Sequence, residues 1–96
     1  MIIVTGGSRG IGAAICRQVA ASCPVVVNYA NQEQAANEVV QSIVSAGGRA
    51  IAVQADIARE ADIIRLFETA EREFGTITRL VNNAGVTGGF ALVRDV

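Results

Sequence analysis

The sequence predicts an α/β fold with a doubly wound parallel sheet, in which four strands take the order 3-2-1-4. Three observations predict it. Short runs of β-branched residues alternate with helix-length segments, a pattern typical of parallel sheets that are covered by helices. These runs are continuously apolar, as strands buried on both faces are. A glycine-rich loop separates the first run from the first helical segment.

The elements follow from the apolar spacing. Strands are predicted at 2–4, 25–27, 51–53 and 80–81, and helices at 10–22, 32–46 and 59–74. In the first helix, Ile11, Ile15 and Val19 are spaced by four and share one face. We expect Asn31 and Gln34 to form a capping box at the start of the second helix. Gly47 and Gly75 each follow the end of a predicted helix. Along the third helix, apolar residues repeat at helical spacing: Ile63, Phe67, Ala70 and Phe74.

Right-handed crossovers place the first two helices on one face of the sheet and the third on the other. We expect residues 87–96 to form a loop or to start another helix. The fourth strand is then left as an exposed edge, which can pair with another chain. The sequence therefore predicts self-association through a sheet edge or an uncovered face.

Composition excludes several classes of site. The chain of 96 residues fits one domain, and it contains no histidine and no lysine. Histidine-based nucleophilic catalysis and a lysine-bearing Walker loop are therefore absent from it. Cys16 and Cys23 are too few for a structural zinc site, and we interpret both as reduced apolar fillers. A net charge of −1 without a basic run argues against nucleic-acid binding.

No apolar stretch is long enough to span a membrane and no signal peptide is evident, so we expect a cytoplasmic protein.

The segment Thr5-Gly6-Gly7-Ser8-Arg9-Gly10-Ile11-Gly12 follows the first strand and opens the first helix. A helix N-terminus binds phosphate groups through its free N–H groups. In such a loop, Gly6 would turn the chain, Gly10 would admit a pyrophosphate, and Gly12 would allow the helix to pack closely. Arg9 near a helix start is favourable where an anion binds. A tight turn without ligand, and a solvated arginine, remain the alternatives.

This loop resembles the cofactor loop of the short-chain dehydrogenase/reductases, and two further motifs agree. Asp56-Ile57 follows the third strand, and Asn82-Asn83-Ala84-Gly85 follows the fourth, as in that family. Within the family the chain is most similar to the 3-oxoacyl-carrier-protein reductase and the glucose or sugar-alcohol dehydrogenase type. The resemblance covers essentially the whole chain, and it implies that residues 1–96 are a partial Rossmann-like domain that binds NAD(P).

The resemblance also implies the site residues. Asp56 would accept a hydrogen bond from the adenine amino group, although a plain turn carboxylate is the alternative. Asn82 is interpreted as a residue that ties neighbouring strands together. The cofactor-binding residues implied are Gly6, Ser8, Arg9, Gly10, Ile11, Gly12, Asn28, Tyr29, Asp56, Ile57, Asn83, Ala84 and Gly85.

Cofactor choice follows from charge. An acid at the end of the second strand binds the ribose hydroxyls of NAD and repels the extra phosphate of NADP. Residues 28–32 contain no acid before Glu33, and Arg9 lies where that phosphate would bind. The sequence therefore predicts NADP in preference to NAD.

The family transfers hydride with a Tyr-x-x-x-Lys pair, a serine and an asparagine that lie beyond the fourth strand. The chain has no lysine, and Tyr29 lies at the adenine end of the predicted sheet. No catalytic residue is therefore assigned, and the chain alone is expected to be inactive. Three hypotheses remain: the cofactor-binding part of an NADP-dependent reductase, a non-catalytic NADP-binding module, and part of a SAM-dependent methyltransferase.

Overall fold

The molecule is built on one five-stranded sheet. The computed structural model describes residues 1–8, 10–83 and the backbone of residues 91–94. The strands take the order β3-β2-β1-β4-β5, and β1 to β4 are parallel. This confirms the predicted order 3-2-1-4. The strands are β1 (Ile2–Thr5), β2 (Val25–Tyr29), β3 (Ala50–Gln54), β4 (Arg79–Asn82) and β5 (Ala91–Arg94).

The fifth strand corrects two expectations. Within residues 87–96, which we expected to be loop or helix, Ala91–Arg94 pairs antiparallel with β4. The fourth strand is therefore not an edge, and the sheet ends at β3 and β5. The connection after Asn82 explains the direction, because eight residues are too few for the crossover that a parallel strand requires.

Three helices connect the parallel strands, and each is shorter than predicted. They are α1 (Gly10–Val19), α2 (Glu33–Ser45) and α3 (Glu60–Phe74). The first ends three residues early, because the carbonyl oxygen of Val19 accepts turn hydrogen bonds from the N–H groups of Ser22 and Cys23 at 3.0 and 3.2 Å. Helix α2 is one residue shorter than predicted at each end, and α3 begins one residue later than predicted.

The buried face of α1 differs from the predicted stripe. Gly12, Ala13 and Cys16 are buried, whereas Ile11 is 64% exposed. Ile15 and Val19 are half-buried and pack against the core on this face of the sheet, so two of the three predicted positions do contact it. The Cys16 thiol is a free, buried filler, as predicted, and burial raises its pKa to about 12.

The sequence predicted the glycine after the C-terminal end of α2 correctly but not the N-terminal cap of this helix. The N-cap residue is Gln32, without a side-chain cap, so the predicted capping box of Asn31 and Gln34 is wrong. At the other end Gly47 has a φ of 94°, as predicted. The N–H groups of Gly47 and Gly48 donate to the carbonyl oxygens of Val44 and Ile43, at 3.0 and 2.9 Å. This is a Schellman motif, which satisfies carbonyl groups at the helix end.

The sheet is covered on both faces, as the crossovers predicted. Helices α1 and α2 pack on one face and α3 packs on the other. Residues of β1 alternate between the faces: Val4 belongs to the first cluster and Ile3 to the second. Leu66 is the most buried large side chain of α3, and the predicted stripe on that helix omitted it. Among the described residues, no helix has the length and apolarity needed to span a membrane.

Candidate functional site

The loop between β1 and α1 uses two backbone conformations that favour glycine. Gly6 has a φ of 63° and Gly10 a φ of 59°. A Cβ built on Gly10 would meet no heavy atom within 4 Å, so the space beside it is open. The first turn of α1 carries no acidic residue. This loop therefore presents a helix N-terminus to an open space, an arrangement that suits an anion.

Two other glycines permit close packing of the same loop. A Cβ on Gly12 would overlap the carbonyl oxygen of Gly6 and lie 2.8 Å from the Asn83 amide nitrogen. A Cβ on Gly7 would lie 2.8 Å from the sulfur of Cys16. The helix start and the loop are thus in direct backbone contact, which no larger residue would allow.

Asn28 joins the ends of two strands to the loop. Its side chain is 1% exposed, and its Nδ2 donates to the carbonyl oxygens of Val53 and Ala55, both at 3.2 Å. Its Oδ1 accepts a hydrogen bond from the Gly6 N–H at 3.4 Å, and its backbone carbonyl accepts one from the Gly7 N–H at 2.9 Å. The amide of Asn28 therefore bonds within the protein, between β2, the segment after β3, and the loop.

The end of β4 is tied to the same loop. The Thr5 hydroxyl oxygen accepts a hydrogen bond from the Asn83 backbone N–H at 2.9 Å. The same hydroxyl donates a hydrogen bond to Asn82 Oδ1 at 3.1 Å. The Asn83 side chain donates from Nδ2 to the Gly6 carbonyl oxygen at 3.2 Å. Asn82 links neighbouring strands, as the sequence indicated, and Asn83 forms a similar link.

A short turn after β3 carries Asp56. Its Oδ1 accepts a hydrogen bond from the Ala58 N–H at 2.9 Å, and its carboxylate is on an exposed residue. Its own backbone N–H donates to Asp62 Oδ2 at 2.8 Å. That hydrogen bond, helped by the charges of Arg65 and Arg59, lowers the pKa of Asp62. Asp62 is thus ionised at neutral pH and fixes the turn.

The first acid after β2 is Glu33, which begins α2. The Tyr29 hydroxyl donates to Glu33 Oε2 at 3.4 Å. Partial desolvation, and then the negative charge of Glu33, raise the pKa of Tyr29. Both side chains lie at the same edge of the sheet as the glycine loop, because the carboxyl ends of parallel strands share one edge.

The predicted site residues in the described part of the chain lie at this carboxyl edge, in the loop and after β2, β3 and β4. Arg9, Ala84 and Gly85 lie outside the described residues. Ser8, Tyr29, Ile57 and Asn83 are half-buried, whereas Gly10 and Ile11 are exposed. No group of three or more metal-ligating side chains occurs in the part that the structure describes.

Cavities do not single out this edge. A cavity of about 100 Å³ lies behind it, between α3 and the sheet, and Thr5, Ile57 and Asn82 contribute to its lining. Larger depressions of about 500 Å³ lie at the opposite edge, near Arg17 and Gly47. We give the carboxyl edge precedence, because ligands of open α/β sheets bind outside the carboxyl ends of the strands.

Sequence reasoning missed two residues that shape the site. Asp62 lies in the first turn of α3 and was given no role by the sequence, yet its carboxylate accepts a hydrogen bond from the backbone N–H of Asp56. Thr5 was read as part of the loop motif without a role of its own. An acid in the first helical turn was the available signal for Asp62, whereas nothing in the sequence marks the partners of Thr5.

Comparisons with known proteins agree with this geometry. The family model of the short chain dehydrogenases matches residues 1–95. A 3-oxoacyl-[acyl-carrier-protein] reductase of Synechocystis is 47% identical over 93 residues, which cover 96% of this chain and 38% of that protein. A short-chain dehydrogenase/reductase of Serratia marcescens has a TM-score of 0.84 and 41% identity, over 88% of this chain and 35% of its own.

A third relative was solved with a ligand. A dehydrogenase structure from Burkholderia cenocepacia with bound NADP has a TM-score of 0.81 and 28% identity, over 85% of this chain and 32% of its own. The chain spans 38% of the length of the first curated relatives that it matches.

Proposed function

Because the chain belongs to the short-chain dehydrogenase family, we propose that residues 1–96 form the NADP(H)-binding part of an oxidoreductase. The reaction class is hydride transfer between a nicotinamide ring and a carbonyl or alcohol carbon. The family match leaves the methyltransferase hypothesis without support.

The glycine loop carries this proposal. Gly6 and Gly10 have positive φ values, and Gly12 has no room for a side chain. A pyrophosphate would reach the N–H groups of the first turn of α1 through the open space at Gly10.

The remaining residues have distinct proposed roles. Ser8, Arg9 and Ile11 would contact the phosphates and the adenosine ribose, and Tyr29 would lie at the adenine end. Asp56 and Ile57 would contact the adenine, and the segment 83–85 would approach the ribose on the nicotinamide side. Asn28 would act through the loop that it holds, since its side chain is buried.

We further propose that NADP binds in preference to NAD. Residues 28–32 offer no carboxylate to the ribose hydroxyls, and Glu33 already accepts the hydrogen bond of Tyr29. The support for a phosphate partner at Arg9 comes from the sequence, where a cation at the start of α1 calls for an anion.

The chain's own residues would hold and orient the cofactor without moving a proton. When bound, the dinucleotide supplies or accepts the hydride. The proton at the substrate oxygen needs a group with a pKa near neutrality. The chain contains no lysine that could form the family's Tyr-x-x-x-Lys pair. We therefore expect binding without turnover from this chain alone.

A titration with NADPH and NADH tests the proposal, read by calorimetry or nicotinamide fluorescence. We expect NADPH to bind more tightly, and Gly10→Ala to weaken binding of both. Gly47→Ala is the matched control, because Gly47 also has a positive φ with nothing within 4 Å but lies at the opposite end of the sheet. Absence of binding would contradict the cofactor assignment, and equal affinities would contradict the preference.

A non-catalytic NADP-binding module remains the second candidate, because the residues of the candidate site would bind a dinucleotide and none of them is assigned a catalytic role. The intact mass of the natural protein, compared with the genomic reading frame, separates the two, because only the enzyme requires a Tyr-x-x-x-Lys segment.

We also propose that copies of the chain self-associate. The outer edges of β3 and β5, and the face of α3 where Ile64 is 53% exposed, are candidate surfaces. A single species of 10.0 kDa in sedimentation would contradict this.

A further inference from the structure

We propose that Asp62 is a positioning residue that sets adenine recognition by holding the backbone of Asp56. The inference rests on the proposed function, and within it on the contact between Asp56 and the adenine amino group. Asp62 lies outside every motif used to identify the family in this chain.

The hydrogen bond from the Asp56 N–H to Asp62 Oδ2, at 2.8 Å, is the short contact of this turn. A bond with an ionised acceptor is stronger than one between neutral groups. It runs from the third residue of α3 back to the residue whose side chain would meet the base. The orientation of the Asp56 carboxylate is thereby coupled to the helix.

Two further contacts close the turn from the other side. Asp56 Oδ1 accepts from the Ala58 N–H at 2.9 Å, and the Asp56 carbonyl oxygen accepts from the Arg59 N–H at 2.9 Å. Both bonds are local, within three residues, so they shape the turn without connecting Asp56 itself to α3. The far end of the turn is joined to the helix by backbone bonds, from the N–H groups of Asp62 and Ile63 to the Arg59 carbonyl oxygen, both at 3.1 Å. The bond to the Asp62 side chain connects α3 to Asp56 directly.

The second oxygen of Asp62 is held as well. Asp62 Oδ1 lies 3.6 Å from an Arg65 guanidinium nitrogen on the same helix. The positive charge of Arg65 therefore faces one carboxylate oxygen, while the other oxygen accepts the hydrogen bond of the Asp56 N–H. Removal of Asp62 would leave the Asp56 N–H to water, and Asp56 would then be positioned only by the local bonds to Ala58 and Arg59.

The experiment compares NADPH with its hypoxanthine analogue, in which the adenine amino group is replaced by a carbonyl oxygen. The unaltered chain should bind NADPH more tightly, because the amino group donates to a carboxylate, whereas the carbonyl oxygen at the same position can only accept and would face the carboxylate unfavourably. In Asp62→Ala this preference should fall by about fivefold, the equivalent of one hydrogen bond. In Asp62→Asn, which keeps an acceptor oxygen, most of the preference should return.

Glu60→Ala is the matched control, because Glu60 is the other acid in the first turn of α3. It removes the same charge near the same helix end, so a general effect of charge or helix stability would appear in both variants. The NMR signal of the Asp56 amide should shift in Asp62→Ala and not in Glu60→Ala.

The outcomes separate the two proposals. An unchanged preference for adenine in Asp62→Ala, with NADPH still bound, overturns the role of Asp62 and leaves the proposed function intact. Equal loss of preference in Glu60→Ala also overturns it. An unaltered chain that binds neither dinucleotide overturns the proposed function and, with it, this inference.

Discussion

The side-chain amide of Asn83 donates a hydrogen bond to the backbone carbonyl oxygen of Gly6 at 3.2 Å, which connects the end of β4 to the glycine loop. The same amide nitrogen would lie 2.8 Å from a Cβ on Gly12. The glycine loop and the start of α1 therefore share one tightly packed point with the end of β4, which is distant in sequence. Changes at this point should affect stability and binding together.

Gly12→Ala should destabilise the fold by about 2 kcal/mol or more, because the added methyl group would overlap the Gly6 carbonyl oxygen. Helix propensity alone predicts the opposite sign, since alanine favours a helix by about 1 kcal/mol over glycine. Urea unfolding measures the difference. A higher free energy of unfolding in Gly12→Ala would contradict this prediction, because it would show that α1 can shift away from the loop without destabilising the fold.

Asn28→Ala should cost about 2–4 kcal/mol, because the carbonyl oxygens of Val53 and Ala55 lose their buried donor. Asn37→Ala is the matched control, since Asn37 is exposed on α2 and should change the free energy of unfolding by about 0.5 kcal/mol or less. Equal effects of the two substitutions, in thermal or urea unfolding, would contradict the role given to Asn28.

Ala30→Asp should reverse the cofactor preference. Ala30 is exposed directly after β2, where a carboxylate would bind ribose hydroxyls and repel a 2′-phosphate. The ratio of NADPH to NADH affinity should fall by about tenfold, the equivalent of about 1.4 kcal/mol. Ala30→Asn, which has the same shape without the charge, should change it little. An unchanged ratio of NADPH to NADH affinity in Ala30→Asp would show that the 2′-phosphate of NADPH does not bind near Ala30.

The Cys16 thiol should remain protonated and unreactive in the folded chain. Its pKa is raised by burial from an ordinary value of 9.0 to about 12, so the folded state holds its proton more tightly than the unfolded state. Stability is then complete below pH 9 and falls as the pH rises toward 12, by about 1.4 kcal/mol per unit. Urea unfolding between pH 8 and about 10.5 measures this slope.

Two comparisons check the assignment to this thiol. In Cys16→Ala, the free energy of unfolding should lose the part of its pH dependence that comes from the Cys16 thiol. Iodoacetamide should label Cys23, which is only half-buried, before it labels Cys16. Labelling of both thiols at equal rates in the folded chain would contradict the burial of Cys16.

The sequence predicted the features that backbone chemistry determines. Continuous apolar runs such as Val25-Val26-Val27 indicated buried parallel strands, and the alternation of elements determined the order 3-2-1-4. Gly47 was placed correctly, because few residues other than glycine adopt a positive φ at a helix end.

Features that depend on distant contacts were not predictable in the same way. The stripe of Ile11, Ile15 and Val19 was correct only in part: Ile15 and Val19 pack against the core, whereas Ile11 is 64% exposed. The roles of Asn28 and Asp62 depend on partners that only the folded chain brings near: Val53 lies 25 positions from Asn28 in sequence. The strand Ala91–Arg94 required knowledge of the free edge of β4.

The hydrogen bonds that hold the glycine loop have a consequence for the kinetics of binding. Gly6 is bonded to both Asn28 and Asn83, so the loop cannot open as an independent lid without breaking contacts of the sheet. A ligand arriving at this edge would meet a preorganised cradle and pay little conformational entropy. Association should therefore follow a single bimolecular step, with affinity differences among variants of the loop expressed mainly as dissociation rates.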